Sequence, residues 1–307
     1  MSCYSPLIGY RAKDPNPNGK RNIVFNPKEA IDDGEIKLPC GQCIGCILER
    51  SRQWAVRCVH EASLYEDNSF ITLTFDNENL PKSGSIDPRD FQLFMKRLRK
   101  SETGKKIRFF HCGEYGEKYL RPHYHALLFN HDFKDKTHWK THNGEKYYIS
   151  EELQKLWPFG FSTIGDVTFE SAAYVARYIT KKINGDQALE HYCDINKQIG
   201  EIIKERKPEY ITMSRRPGIG NTWFQKYKED VFPDDFVIMR GKKIKPPKYY
   251  DFCHELECPE NMEEIKERRQ IKAYQFSGDQ TGERLNVKRI IKETKFKQLK
   301  RGLDNET

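Results

Sequence analysis

Four stretches rich in β-branched and aromatic residues, at positions 70–75, 107–115, 123–129 and 161–167, alternate with segments whose apolar side chains recur at helical spacing. A chain so patterned has to build a sheet and cover it with helices, because neither element can bury its apolar side alone. The first stretch, Phe70, Ile71, Thr72, Leu73, Thr74 and Phe75, suits a buried strand. Asp87 can then cap a helix that Pro88 opens, with Phe91, Phe94, Met95 and Leu98 at i, i+3, i+4 and i+7 forming one apolar face. A polar connection containing glycine and proline joins the second and third stretches, which predicts a hairpin. Ser150 can cap a short helix through Trp157, and after the fourth stretch a helix over 169–183 stops at Asn184-Gly185, where glycine can take the left-handed conformation.

The resulting order, β-α-β-β-α-β-α, predicts an α+β domain of ferredoxin-like (RRM-like) type with one antiparallel sheet, spanning residues 67–185. A cysteine-containing extension precedes it at 1–66 and a basic extension follows at 186–307. Residues 10–35 are rich in proline, asparagine, glycine and charge and predict a surface loop. Leu48, Trp54, Val56, Val59 and Ala62 predict a helix over 47–65 that leads into the core. Farther on, 215–220 predicts a loop and 223–231 a helix. Eight basic residues between 284 and 301, with Glu293 as the acid among them, predict an exposed end that either touches phosphates or simply stands in solvent.

Lys and Arg number 53 against 45 Asp and Glu, a net +8, and aromatic residues reach 12%. That balance suits a polyanionic partner. Of the nine cysteines, Cys40, Cys43 and Cys46 stand at C-x2-C-x2-C spacing while the others are scattered, a pattern unlike a disulfide framework. No basic-then-apolar leader opens the chain, and no apolar run nears the roughly 20 residues of a membrane-spanning helix. The expected setting is a reducing cytoplasm, away from any membrane.

Within 123–129, His123 and His125 sit at i and i+2 and so project from one sheet face, a natural half-site for a metal. Glu114, near the end of the preceding strand, can complete a set of two imidazoles and one carboxylate. Such a set holds Mg2+ or Mn2+ with positions left for water or a phosphate oxygen. His111, Glu117 and Asp76 compete as third ligand, and Glu114 best reconciles strand direction with reach. Standing alone, an H-x-H pair more often just satisfies hydrogen bonds.

Tyr174 and Tyr178 lie one helical turn apart, so both hydroxyls share a face, and Lys181 and Lys182 follow on the next turn. A phenol with its ordinary pKa of about 10 is a poor nucleophile unless a cation favours the phenolate. Either lysine can supply that field while a metal polarises a phosphate. Taken alone, aromatic pairs at this spacing are core packing, and Val175 and Ile179 supply burial for the same helix. The tyrosine side is expected to face the edge of the sheet.

Together, residues 70–75, the His123-Tyr124-His125 motif and the helix from Tyr174 to Lys182 resemble the HUH endonucleases, specifically the rolling-circle replication initiators of the gokushovirus branch of Microviridae. Tyr174 and Tyr178 match the Y-x-x-x-Y helix of two-tyrosine initiators. Tyr178 with Lys181 also fits the Y-x-x-K form of single-tyrosine relatives, which favours Tyr178 for the first cut. The cysteine cluster and residues 214–218 are similar to gokushovirus proteins as well. The resemblance implies a metal-dependent, site-specific DNA nickase and strand-joining transferase acting in the cytoplasm of a bacterial host. One tyrosine would attack viral origin DNA, single-stranded or in the supercoiled replicative form, leaving a 5′-phosphotyrosine and a 3′-hydroxyl for host DNA polymerase. The second would cut the regenerated origin so that the circle can be rejoined. No G-x-x-x-x-G-K-[ST] phosphate loop is present, so host helicase and single-strand-binding protein are implied partners.

Cys40, Cys43 and Cys46 bring three soft ligands together, and Cys58 or Cys3 can supply a fourth for a structural Zn2+. The spacing also overlaps part of an iron–sulfur run, whose fourth cysteine would stand at another distance. Two other functions stay open. One is a non-enzymatic nucleic-acid-binding module with structural metal; the other is a transposase or relaxase of the same superfamily, which differs in the DNA it recognises.

Overall fold

The computed structural model describes residues 3–298 apart from 18, 117, 178–187, 189–190 and 196–200. They fall into two compact units, one formed by residues through 50 together with those from 263 on, the other by residues 51–262. Among the described residues no helix is long and apolar enough to cross a membrane.

The first unit opens with an antiparallel sheet in the order β2-β1-β3, made of β1 (Leu7–Pro15), β2 (Arg21–Val24) and β3 (Ile36–Leu38). The loop expected over 10–35 is therefore corrected. Tyr10, Arg11 and Pro15 pair with Val24, Ile23 and Arg21, so strands occupy much of the first half of that stretch. These strands are mostly exposed, so they carry none of the apolar alternation that marks a half-buried strand.

α1 (Ile44–Ala62) begins in the first unit and runs on into the second, where Ala55 and Cys58 join the core. β4 (Asn68–Thr74), β5 (Arg108–Tyr115), β6 (Pro122–Phe129), β7 (Thr137–His142), β8 (Glu145–Ile149) and β9 (Ser162–Gly165) follow in chain order. β10 (Cys193–Ile195) and β11 (Ile202–Glu205) form a separate pair, and β12 (Tyr210–Met213) joins the main sheet. That sheet has seven strands in the order β12-β5-β6-β4-β9-β8-β7, all neighbours antiparallel. Asp87 caps α2 (Pro88–Ser101) by accepting from Arg89 N, and Ser150 caps α3 (Glu151–Leu156) by accepting from Leu153 N. α4 (Phe169–Arg177) follows β9.

The pleat divides the side chains between two cores. Ile71, Leu73, Tyr124, Ala126 and Leu128 pack with Phe91, Phe94, Met95 and Leu98 of α2 and with Leu153 and Leu156 of α3. On the other face Phe70, Phe110, Leu127 and Phe129 pack with α1 and with Ala172, Val175 and Ala176 of α4. Each such fully buried Leu or Phe is stabilising by about 1.5–3 kcal/mol relative to exposure. The α+β class and the large antiparallel sheet are as expected. The sheet is wider than the four expected strands, because β12 extends one edge and β8 and β7 the other. The β7–β8 hairpin turns at Asn143 and Gly144, both at positive φ (51° and 84°), the Asn-Gly signature of a type I′ turn.

Of the helix expected over 169–183, the part through Arg177 is described; Tyr178, Lys181 and Lys182 lie outside the described residues. Residues 215–220 form a loop, held by a buried ion pair: Arg108 Nε meets Glu61 Oε1 at 2.5 Å, Arg108 Nη2 donates to Pro217 O at 2.9 Å, and Glu61 Oε2 accepts from Gly220 N at 2.7 Å. α5 (Asn221–Val231), the hairpin of β13 (Val237–Met239) and β14 (Lys242–Ile244), α6 (Lys248–Glu257) and α7 (Pro259–Tyr274) complete this stretch of chain. α8 (Gly282–Lys297), in the first unit, carries most of the C-terminal basic run. Part of that charge is paired locally, Arg284 and Lys288 with Asp279, and Arg289 with Glu293 at 3.0 Å.

Candidate metal centre and its tyrosine

Strand register builds this centre. Glu114 of β5 stands directly opposite His123 of β6, which stands opposite Thr74 of β4; one row in, Cys112, His125, Thr72 and Thr163 line up across four strands. Residues paired in this way share a sheet face, so both rows lie on the face that α1 and α4 cover. Glu114 Oε1 is 2.8 Å from both His123 Nε2 and His125 Nε2, and the three donor atoms lie within 4.8 Å of one another. Glu114 and His125 are buried, while His123 is partly exposed.

The far side of each imidazole is also held. His123 Nδ1–H donates to Arg121 O at 3.1 Å, and the Thr72 hydroxyl hydrogen-bonds His125 Nδ1 at 3.0 Å. Partners of this kind fix ring orientation and tautomer. With its proton on Nδ1, a neutral His123 turns the Nε2 lone pair toward a carboxylate oxygen 2.8 Å away. Two acceptors at that distance need positive charge between them, either a second ring proton or a metal ion. The donor set therefore fits a divalent cation. Burial alone would raise the Glu114 carboxyl, but the charge of His123 and the hydrogen bonds from both histidines outweigh it and hold the group at about 2.

Tyr174 reaches the same carboxylate. It is 5% exposed, its hydroxyl lies 3.4 Å from Glu114 Oε1, and its ring stands edge-on to His125 at 5.1 Å and 88°. The expectation that the tyrosines face the sheet edge is corrected for this residue: α4 lies across the sheet face, with Ala172, Val175 and Ala176 buried beside Tyr174. Sequence reasoning missed Arg177, whose guanidinium carbon is 5.5 Å from the centre of the Tyr174 ring.

Two of the three competing third ligands are placed away from the centre. His111 points to the opposite face, stacked on Phe91 at 3.6 Å and hydrogen-bonded through Nδ1 to Thr212 at 3.0 Å. Burial, with a smaller contribution from His125, keeps it well below the ordinary histidine range. Asp76 is exposed and occupied by Asn79, and Glu117 lies outside the described residues. Among the cysteines, Cys40, Cys43 and Cys46 gather with Cys3. Cys58 is not with them. It is 12 residues beyond Cys46 on α1, about 18 Å along a helix, and packs in the core with Phe110 and Leu127.

A second feature escaped the sequence reading. The Phe161 carbonyl accepts from Thr74 N at 3.0 Å and from the Thr74 hydroxyl at 2.8 Å, so Phe161 sits at the end of the sheet that carries His123. Its ring meets Trp139 at 4.8 Å, each residue is 40% exposed, and Lys140 Nζ is 4.2 Å from the Trp139 ring centre. Gly160 makes the approach possible, since at φ 154° a Cβ there would lie 2.4 Å from Asp76 N.

Residues 68–183, which carry six of the seven strands of the main sheet, the three donors and Tyr174, match a family described as replication-associated protein ORF2. The chain belongs to the Microviridae-like replication-associated proteins of phages. It is 32% identical to replication-associated protein VP4 of Bdellovibrio phage phiMH2K over 99% of both chains. It is 34% identical to replication-associated protein ORF2 of Spiroplasma virus 4 over 88% of this chain and 86% of that one. Replication-associated protein ORF4 of Chlamydia phage 1 is 32% identical over 69% of this chain and 52% of its own. No solved structure matches.

Proposed function

We propose that this protein starts rolling-circle replication of a phage genome by nicking origin DNA with a tyrosine, and ends the round by rejoining the single-stranded circle. The observation that carries this reading is the Tyr174 hydroxyl, 3.4 Å from a carboxylate oxygen that two histidines meet at 2.8 Å. A phenol and a three-donor set of HUH type thus share one place on the sheet. The order β5-β6-β4-β9, with α2 and α3 on one face, supports a ferredoxin-like core of the kind HUH nucleases use.

Glu114, His123 and His125 would hold Mg2+ or Mn2+, which when bound polarises the scissile phosphate. Buried Glu114 and His125 keep the donors fixed, and partly exposed His123 leaves the phosphate a way in. Tyr178 makes the first cut and Tyr174 the second. In each, the phenol oxygen bonds to phosphorus and the bond to the 3′ oxygen breaks. The phenol gives up a proton and the leaving oxygen takes one up, so no water is consumed and the phosphodiester energy is kept for rejoining. Arg177 beside Tyr174 favours the phenolate, a role that Lys181 and Lys182, close after it in the sequence, would share. Trp139 and Phe161 offer unpaired bases a stacking surface, worth about 1–3 kcal/mol per base, next to Lys140 for the backbone. Unwinding, synthesis and strand protection fall to host helicase, DNA polymerase and single-strand-binding protein in the bacterial cytoplasm.

The test is incubation with supercoiled origin DNA and Mn2+. Nicked circles and a protein–DNA adduct that survives phenol extraction are expected, with the adduct mapping to a tyrosine by mass spectrometry. An adduct that persists in the Tyr174→Phe, Tyr178→Phe double variant overturns the assignment, and binding with no cut under either metal points to a non-enzymatic module.

A further inference from the structure

The four sulfurs of Cys3, Cys40, Cys43 and Cys46 lie within 4.8 Å of one another, and Cys3 Sγ is 3.9 Å from Cys43 Sγ. Four thiolates around a tetrahedral zinc, at Zn–S distances near 2.3 Å, stand about 3.8 Å apart. We propose that these four cysteines form a structural zinc site that holds together the N-terminal segment of the protein.

Three features support the site besides the spacing. Backbone N–H groups of Tyr4, Cys40 and Cys43 donate to Cys43, Cys3 and Cys40 sulfurs, each at 3.3 Å. Donors aimed at sulfur offset the negative charge that four thiolates leave on a divalent ion. Gly41, inside the C-x2-C turn, has φ 78°, so the turn between the first two ligands uses the conformation only glycine adopts without strain. The third feature is what the segment lacks. Among the described residues from Cys3 to Arg50, the buried positions are Cys3, Gly9, Gly45 and Cys46, so the only buried side chains there are two of the proposed ligands. The sheet β2-β1-β3 buries no apolar side chain from this segment, the buried apolar residues of the same unit being Ile265 and Leu285 farther along the chain, and a metal cross-link stabilises a segment so short of buried apolar surface.

The pairing that assembles the site is visible in the backbone. Leu7 pairs with Leu38 in the antiparallel β1–β3 ladder, which brings Cys3 and Cys40 to the same end of it. Cys43 precedes the first turn of α1 and accepts from Ile47 N at 3.0 Å through its carbonyl, and Cys46 lies in that turn. One ion therefore ties the start of β1, the end of β3 and the start of α1. Binding releases the four thiol protons to solvent and changes no oxidation state.

The test uses the full chain purified without chelators. One zinc per chain by elemental analysis is expected, released by a mercurial thiol reagent and detected with a chromogenic chelator. The zinc must remain in a His123→Ala, His125→Ala variant, which separates this site from the candidate catalytic one, and in Cys58→Ser. Cys43→Ser and Cys46→Ser should lose it and become open to protease within residues 10–35. If those variants fail to fold, Co2+ exchanged into the unaltered chain decides, by the thiolate-to-metal charge-transfer and intense d–d absorption of a tetrahedral four-sulfur site. No metal above background, two disulfides by mass spectrometry, or iron with inorganic sulfide would overturn the proposal.

Discussion

Replacing Thr72 by valine removes one hydroxyl while leaving the size of the side chain unchanged. That hydroxyl is 3.0 Å from His125 Nδ1, and both residues are buried, so the ring nitrogen loses its partner in a place closed to bulk water. Loss of one such hydrogen bond costs about 1 kcal/mol, or about fivefold in affinity. The imidazole also loses the contact that orients it, and removing a partner behind a metal-bound histidine costs about 10–100-fold, or about 1.4–2.7 kcal/mol. We expect Thr72→Val to weaken Mn2+ binding about tenfold, toward the low end of that range, because His125 keeps its packing against Phe70 and Tyr174. Thr72→Ser keeps the hydroxyl and should stay within about twofold. Titration of the full chain with Mn2+, followed by the electron paramagnetic resonance of the free ion, measures this directly. Nicking by Thr72→Val should recover at saturating Mn2+. Wild-type affinity in Thr72→Val, alongside lost binding in His125→Ala, would refute the orienting role. Undiminished binding in both would remove the three-donor site itself.

Glu61→Ala leaves Arg108 buried without its ion partner, and should lower stability by about 3–5 kcal/mol in denaturant unfolding; an unchanged midpoint would show that the pair contributes nothing net. His60, stacked on Trp223 at 3.5 Å and hydrogen-bonded to Tyr250 at 2.9 Å, is pushed down to about 3 by burial. The unfolded chain protonates this histidine near pH 6.5 but the folded one only near pH 3, so unfolding takes up a proton between those limits. Stability should therefore fall as pH drops through that window, by up to about 1.4 kcal/mol per pH unit from this group, and His60→Gln should shallow the slope; identical slopes would show that the histidine is not linked. The Trp139→Ala, Phe161→Ala double variant should weaken binding of a single-stranded oligonucleotide by about 1–3 kcal/mol per lost stack in fluorescence anisotropy, with Mn2+ affinity intact. Full oligonucleotide affinity would count against the stacking surface.

Periodicity located the interior of the sheet because its strands are buried on both faces. Such strands leave apolar runs like those at 70–75 and 123–129. Asp87 and Ser150 marked helix starts through a hydrogen bond each, a local interaction that needs no tertiary information. The elements that escaped are exposed: β1, β2 and β7 bury almost no side chains, so burial never wrote a period into them. For β7 and β8 another signal was present, the Asn143-Gly144 turn flanked by strand-forming residues, and it outweighs the missing alternation.

At the candidate site, spacing alone could pair His123 with His125, since a pleated strand puts i and i+2 on one face. The third ligand needs register as well, and register follows from how the chain turns between Tyr115 and Pro122, which are themselves paired. Once Glu114 faces His123, parity does the rest: His111 is three residues away, an odd step, and must face the other core, where it stacks on Phe91. The choice between Cys58 and Cys3 turns on a single pairing in the same way. Cys58 shares a helix with Cys46 and looks near in sequence, but a helix extends about 1.5 Å per residue and carries it out of reach. Cys3 is 37 residues before Cys40, and the β1–β3 ladder folds that distance back on itself. In both cases a candidate is excluded by the geometry of its own element, His111 by strand parity and Cys58 by helix rise, and the neighbour that remains comes from a strand pairing that no local pattern announces.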